Sequence, residues 1–550
     1  MTDQLTVPVG ARASAGDTVS HPTPAPAGPR RPSPPPYVVG PGLGERLGRR
    51  VMAGKDAGTQ VSVTPLTGGV LATVPSSTTD DVRAAYALAR AAQPAWAQTP
   101  VGERAAILLR LHDLILDHQN ELLDLIQLES GKARRHAFDE VLDVAGVCRH
   151  YARKANDYLA RRRHLGAIPV LSQSVELRHP KGVVGIVAPW NYPLSMSLTD
   201  ALPALVAGNA VVLRPDEKAV LTALRSIELL DEAGLPPDVL QVVLGDGPHI
   251  GAAVLEQADY VMFTGSTPTG RKVATDAAAR LVGASLELGG KNAMYVADDA
   301  NLKKAAECAE RAVFSSAGQL CISVERLVLH EAIADEFLTH FLGRVESMKL
   351  GPELAWGNDM GSLISPEQLA RVQAHVEDAR SKGATVLAGG KALPDLGPYF
   401  YAPTVLDGVT DQMMCRDGET FGPVVSVYRV SSDQEAVALA NDTAYGLNAA
   451  VWTRNIPRGR RVAAQIRCGT VNVNEGYAAA WASNGSPMGG MGQSGIGRRH
   501  GAEGILKYTE SQNVTVQHVT GFGIPKGVPE KAWATAMSGS MRLMKKVGLS

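Results

Sequence analysis

Four short runs rich in Val and Ile recur through one stretch of the chain: "GVVGIVAP" (182–189), "NAVVLRP" (209–215), "LQVVLGDG" (240–247) and "DYVMFTGS" (259–266). Between them lie stretches with helical spacing, such as "LSMSLTDALPALVAG" and "AVLTALRSIELLDEAG". A strand that is apolar throughout must be covered on both faces. Its alternation with helices therefore predicts a parallel sheet wrapped by helices. Ligands of such sheets bind beyond the carboxyl ends of the strands, so the turns after these runs are where chemistry is expected.

Charge and cysteine usage narrow the function classes. Lys plus Arg number 54 against 55 Asp plus Glu, a balance that argues against nucleic acid as a partner. The five cysteines, Cys148, Cys308, Cys321, Cys415 and Cys468, form no disulfide framework and have no metal-ligand spacing. No metal is expected, and a reducing, cytoplasmic compartment is. No run of apolar residues is long enough to cross a membrane, so no integral membrane association is expected. A chain of 550 residues exceeds one core and should divide into domains. Residues 1–50 read as a Pro-rich, disordered tail, with nine prolines in the first forty positions. "STTDDVRAAYALARAAQPAW" and "GERAAILLRLHDLILDHQNELLDLIQLESGK" read as helices, the second ending near Gly131. "LSQSVELRHPKGVVGIVAPW" reads as a hairpin arm feeding a buried strand.

Several turns carry candidate chemistry, each with a plainer alternative. "FTGSTPTGRKV" (263–273) leaves a strand and opens a helix, offering backbone N–H groups around Gly265, Ser266 and Gly270 to an anion. Its spacing is not GxGxxG, so an ordinary strand-to-helix turn is an equal reading. Gly247 lies in a second Gly-rich turn, "GDGPHIG". Asn191, in "APWNYP", ends a buried strand, where its amide could donate to a developing oxyanion or simply cap the next helix. Glu287, in "SLELGGKNAMYV", sits inside an apolar strand. Desolvation there raises a carboxylate toward the range of a general base, unless backbone donors satisfy it. Glu419 and Phe421, in "GETFGPVVSV", could hold ribose hydroxyls and pack a ring, or be a loop acid and a core ring. Cys321, in "SSAGQLCISVERL", lies outside any apolar stripe. Most free cysteines are small buried hydrophobes; the alternative is a nucleophile, which must be a thiolate.

Taken in order, PWN, the Gly/Ser turn, ELGGK, GQxC and ETFGP, closed by "SPMGGMGQSGIGRRHG", resemble the NAD(P)-dependent aldehyde dehydrogenase superfamily over about residues 50–520. The resemblance implies an α/β fold: a Rossmann-type cofactor domain, an α/β catalytic domain and a β-hairpin oligomerisation arm. It also implies that Cys321 attacks the aldehyde carbonyl while the Asn191 side chain and the Cys321 N–H hold the oxyanion. After hydride transfer, Glu287 would activate water against the thioester. Trp190 and the backbone around Val187 would line the cofactor crevice, Ser266 would face the pyrophosphate, and Glu419 would bind the nicotinamide ribose. Where the family usually has Lys, this chain has Arg214, which suits the 2′-phosphate of NADP. Glu217 pulls the other way, toward NAD; the balance leans to NADP.

Within the family the chain looks most like succinate-semialdehyde dehydrogenases of actinobacterial type, so a carboxylated aldehyde is the expected substrate. Arg326, Trp481 and Ser483 are its candidate contacts. Trp481 and the adjoining alanines equally suit an apolar or aromatic aldehyde. A CoA-acylating semialdehyde dehydrogenase is a further alternative, disfavoured by the presence of Glu287. A cysteine hydrolase would need a His beside the thiol, and only His249 and His500 are candidates. Expected boundaries are 51–165 and 181–286 for the cofactor domain and 287–480 for the catalytic domain. Residues 166–180 and 507–520 should form the arm of a homodimer or homotetramer. Residues 521–550 read as a helical extension with Trp533, Met537, Met541, Met544 and Val547 on one face, expected to pack on its own protein.

Overall fold

The computed structural model describes residues 39–548, apart from Pro41, 167–171 and 519–522. The four runs become the strands Val183–Val187, Ala210–Arg214, Leu240–Val242 and Tyr260–Thr264, and Gly283–Glu287 joins them. Their order across the six-stranded sheet places Val183–Val187 between Ala210–Arg214 and Tyr260–Thr264. All pair in parallel; the short strand Gly495–Ile496 adds antiparallel at the Gly283–Glu287 edge. Successive strands thus move outward one way from Val183–Val187, and then the other way. That reversal is the switch point of a doubly wound sheet, and a crevice opens there beyond Val187 and Thr264. Alternate residues feed opposite cores: Val184, Ile186, Val211 and Leu213 on one face, Val183, Val187, Val212 and Val261 on the other.

A second sheet of seven strands runs in the order Thr385–Ala388, Thr404–Asp407, Val424–Val430, Val324–His330, Asn292–Val296, Asn448–Trp452, Thr470–Val473. It too is parallel except for its edge strand Thr385–Ala388. The chain passes from the first sheet to the second through Leu288–Lys291, so Glu287 is the last residue of one sheet and Cys321 lies just before a strand of the other.

Local signals account for the helices near the start. Thr78 and Asp81 close a reciprocal capping box on Thr79–Gln98, satisfying otherwise orphaned N–H groups. The second predicted helix is interrupted at His118 into Val101–Asp117 and Gln119–Ser130. It ends at Gly131, which takes the left-handed conformation (φ 73°) that glycine adopts without a Cβ clash. The ordered fold begins earlier than residue 51. Leu43–Gly48 is helical and buries Leu47 against the core of the first sheet; residues 1–38 of the Pro-rich tail and Pro41 lie outside the described residues. The arm also starts earlier than expected, with Arg162–Leu165 pairing antiparallel to Ser172–Pro180, which in turn pairs with Thr509–Gln517. Glu530–Lys546 forms the expected C-terminal helix, but none of its residues is fully buried; packing on its own chain is at most partial.

Candidate active site

Cys321, Glu287 and Asn191 line one cavity, together with Trp190, Gly265, Ser266, Glu419, Phe421 and Trp481. The turn after Val187 supplies Trp190 and Asn191, and the turn after Thr264 supplies Gly265 and Ser266, as the switch point dictates. The Cys321 loop arrives from the other sheet by a forced path. Ser316, Ala317 and Gly318 are all left-handed (φ 53°, 55° and 71°), which costs roughly 1–2 kcal/mol for each residue carrying a Cβ. Surrounding bonds impose it: Ser316 N–H donates to His136 Nδ1 (3.1 Å), and Tyr192 Oη bonds Ser316 Oγ (3.0 Å). Gln319 donates to Ser316 O (3.1 Å) and accepts from Ile364 N–H (3.0 Å). The Gln of the GQxC motif therefore braces the loop.

Burial dominates the electrostatics. It pushes the Cys321 thiol up to about 12, with Glu287 adding to the effect and Arg499 opposing it. Burial likewise raises Glu287 to about 7, against the pull of Arg499 and Lys507. The resting pair is thus a protonated thiol and a carboxylate poised to take a proton near neutral pH. Asn191 spends one amide hydrogen on Gln319 O (3.0 Å), and its backbone carbonyl accepts from buried Lys132 (2.7 Å). Lys132 pairs with Glu140 (2.7 Å), which accepts from Leu194 and Ser195 N–H groups (2.8 and 3.1 Å). This buried pair, not anticipated from the sequence, fixes the PWN turn.

Glu419 is positioned in the same manner. Lys291 donates to Gly418 O (2.9 Å) and pairs with Glu325, whose carboxylate accepts from Thr420 and Phe421 N–H groups. Lys291 and Glu325 thereby tie the ELGGK turn to the loop that presents Glu419 and Phe421. Glu325 lies in the strand Val324–His330 beside Arg326, where an adjacent opposite charge gave no sign of its partner Lys291. Burial raises Glu419 to about 7. It accepts a hydrogen bond from Gly290 N–H (2.9 Å), and a Cβ on Gly289 would stand 2.4 Å from its Oε2. The Trp190 and Phe421 rings meet edge to face, 5.6 Å between centroids. A buried carboxylate with capacity to spare, beside two rings, fits a ligand carrying ribose hydroxyls and a flat heterocycle.

Other expected cofactor residues serve packing, capping or different surroundings. Gly265 and Gly270 do not offer free amides to a phosphate: Gly265 N–H donates to Glu287 O (3.0 Å) and Gly270 N–H to Ser266 O (2.9 Å). Their lack of a side chain serves packing, since a Cβ would meet the Phe263 ring at 2.6 Å and Leu288 at 2.4 Å respectively. Ser266 caps the helix Thr267–Ala279 and borders the cavity. Val187 is buried at its strand end, and Gly247 opens a separate short helix capped by Asp246. Arg214 is buried; Nε and Nη2 donate to Gly245 O (2.9 and 2.6 Å) and Nη1 reaches Asp216 (3.4 Å). Glu217 borders a different cavity, with Lys218 and Glu129.

Arg326 is not a substrate contact. It is fully buried and donates to Lys291 O (3.0 Å), Leu439 O (2.8 Å) and Ala440 O (2.9 Å). Ser483 is exposed and bonds Ala479 O (2.7 Å). Trp481 does border the cavity, edge-on to Tyr192. His500 also borders it, yet burial lowers its pKa to about 4 and its Nδ1 has no partner among the described residues; His249 is exposed on Asp246. His249 is not in the cavity lining, and His500 lacks, among the described residues, the acid or amide on Nδ1 that orients the base of a thiol–imidazole hydrolase.

A doubly wound sheet of nucleotide-binding type thus brings a thiol, a raised carboxylate and an amide together at its crevice. Residues 52–514 match the aldehyde dehydrogenase family model, and the chain belongs to that family. It is 52% identical over 481 residues, 88% of this chain and 93% of the other, to a Mycolicibacterium smegmatis protein named "Putative succinate-semialdehyde dehydrogenase [NADP(+)]". It is 38% identical, over 82% of this chain and 84% of the other, to the mitochondrial succinate-semialdehyde dehydrogenase of Arabidopsis thaliana. The crystal structure of Staphylococcus aureus betaine aldehyde dehydrogenase in complex with NAD+ superposes with a TM-score of 0.82 at 30% identity, covering 89% of this chain and 100% of that one.

Proposed function

We propose that the chain oxidises succinate semialdehyde to succinate with NADP, through a thioester on Cys321. The observation that carries this reading is the meeting of Cys321, Glu287 and Asn191 in one cavity beside Glu419 and Phe421. The names of the mycobacterial and plant relatives support the substrate, and the mycobacterial names support NADP.

Glu287 takes the proton from Cys321 Sγ, because a thiol held near 12 does not ionise unaided at neutral pH. The sulfur then adds to the aldehyde carbon. Asn191 has a second amide hydrogen, and the Cys321 N–H lies close enough to lower the pKa of its own sulfur; these two donors hold the oxyanion. A nicotinamide cofactor held there would supply the hydride acceptor for the resulting thiohemiacetal. Trp190, Phe421, Glu419 and Ser266 would hold that cofactor. Glu287 finally removes a proton from water as it attacks the thioester. The open edge of Thr509–Gln517 supports assembly with further copies of the chain.

The direct test is the appearance of NADPH with succinate semialdehyde in the absence of CoA. Turnover that needs CoA would favour the acylating alternative, and equal turnover of uncharged aldehydes would favour a general aldehyde dehydrogenase.

A further inference from the structure

A carboxylated aldehyde brings a negative charge into the Cys321 cavity, and a carboxylate held there without donors is costly. Two arginines border the Cys321 cavity, Arg371 and Arg499. Arg371 donates to the backbone carbonyl of Glu419, and its helix neighbour Gln368 donates to Phe421 O (2.6 Å). Arg371 therefore belongs to the edge assigned to the cofactor.

Arg499 is placed differently. Its Nη2 reaches Asp200 (2.7 Å) and Thr264 Oγ1 (2.6 Å). Its Nη1 faces only the thioether of Met196 (2.9 Å), a weak acceptor. Its Nε has no hydrogen-bond partner among the described residues. Arg499 is 8% exposed, and a buried guanidinium with unspent donors is unusual enough to need a reason. His500, 5% exposed beside it on the same wall, also has an unpartnered ring nitrogen, Nδ1. The local charge points the same way. Arg499 and Lys507 both pair with one carboxylate, Asp200 (2.7 and 3.3 Å). Burial alone would raise Asp200, but these two cations hold it below its usual range. Two cations on one ionised acid leave positive charge over, and the two further buried acids of the cavity, Glu287 and Asp143, are each raised to about 7 and so offset it only in part near neutral pH.

We propose that Arg499, with His500 beside it, is the anchor for the distal carboxylate of the aldehyde substrate, making it the specificity-determining cation that Arg326 is not. The proposal rests on the carboxylated-aldehyde reading above. The two are separated by measuring kcat/KM for succinate semialdehyde and for butanal, which has the same chain length and no carboxylate. The wild-type enzyme should favour the charged aldehyde by about 10²-fold or more. Arg499→Gln should lower that preference about 10- to 100-fold, and Arg499→Lys should retain part of it. Taking the ratio cancels any common effect on Glu287. A wild-type enzyme with no preference would remove the substrate reading and the anchor with it. A wild-type preference that survives Arg499→Gln intact would overturn the anchor alone. Because Arg499→Gln strands Asp200, the double variant Asp200→Asn/Arg499→Gln is measured alongside. The rise in Tm with added succinate, recorded on the same folded samples, should be present in the wild type and lost in both Arg499→Gln proteins. An equal rise in all three would also overturn the anchor.

Discussion

Cys321 and Glu287 divide one problem between them. The sulfur is held as a thiol by the burial that an enclosed redox site requires, so its activation depends on a neighbouring base. Glu287 is made into that base by the same desolvation. The sign of the resulting pH dependence follows directly. Glu287 is raised from 4.5 to about 7, so its basic form is scarce below pH 7 and predominant above. The steady-state rate should climb about tenfold per pH unit below 7 and level off beyond it. Glu287→Gln should flatten that inflection and lower the steady-state rate about 10²–10⁴-fold. A Glu287→Gln profile that kept the inflection near 7 would assign it to another group, such as Glu419.

Strand geometry explains which site residues were legible in the sequence. Asn191, Glu287 and Cys321 each sit where a strand ends or is about to begin, and a polar residue there stands out against apolar neighbours. Arg326 was misjudged because nearness in sequence was read as nearness in space. It lies inside Val324–His330, where side chains alternate between faces, and its guanidinium reaches Leu439 and Ala440. The amide partner of Gly265, Glu287 O, is set by tertiary placement that no local pattern reports, whereas Gly270 N–H is taken by Ser266 O four residues earlier because the helix already begins at Thr267. The Lys132–Glu140 and Lys291–Glu325 pairs were unreadable as supports for the same reason: each clamps a turn distant in sequence. The corrected role of Gly270 carries its own prediction. Gly270→Ala would press a Cβ to 2.4 Å from Leu288 and should destabilise by about 1–3 kcal/mol, seen as a lower Tm. An unchanged Tm would show that Leu288 has room to move.

Across the whole molecule, the two sheets meet at the cavity while the three-stranded arm leaves an edge open. The outer strand Thr509–Gln517 is bonded on one side by Ser172–Pro180; Val514 and Val516 remain 40% and 47% exposed. A nine-residue strand with an unpaired edge and exposed valines is a surface that native proteins cover. Val514→Pro, which places a ring on this edge strand, should shift the protein toward monomers in light scattering after size exclusion. An unchanged mass would move the assembly surface elsewhere.

The covalent role of Cys321 is tested most directly by intact-protein and peptide mass spectrometry of the wild-type protein, quenched with acid within the first turnover after mixing with NADP and succinate semialdehyde. The account predicts one equivalent of NADPH formed in a burst and one succinyl group on the peptide containing Cys321. NADPH turning over without any acyl group on that peptide, or an acyl group on a different cysteine, would contradict it.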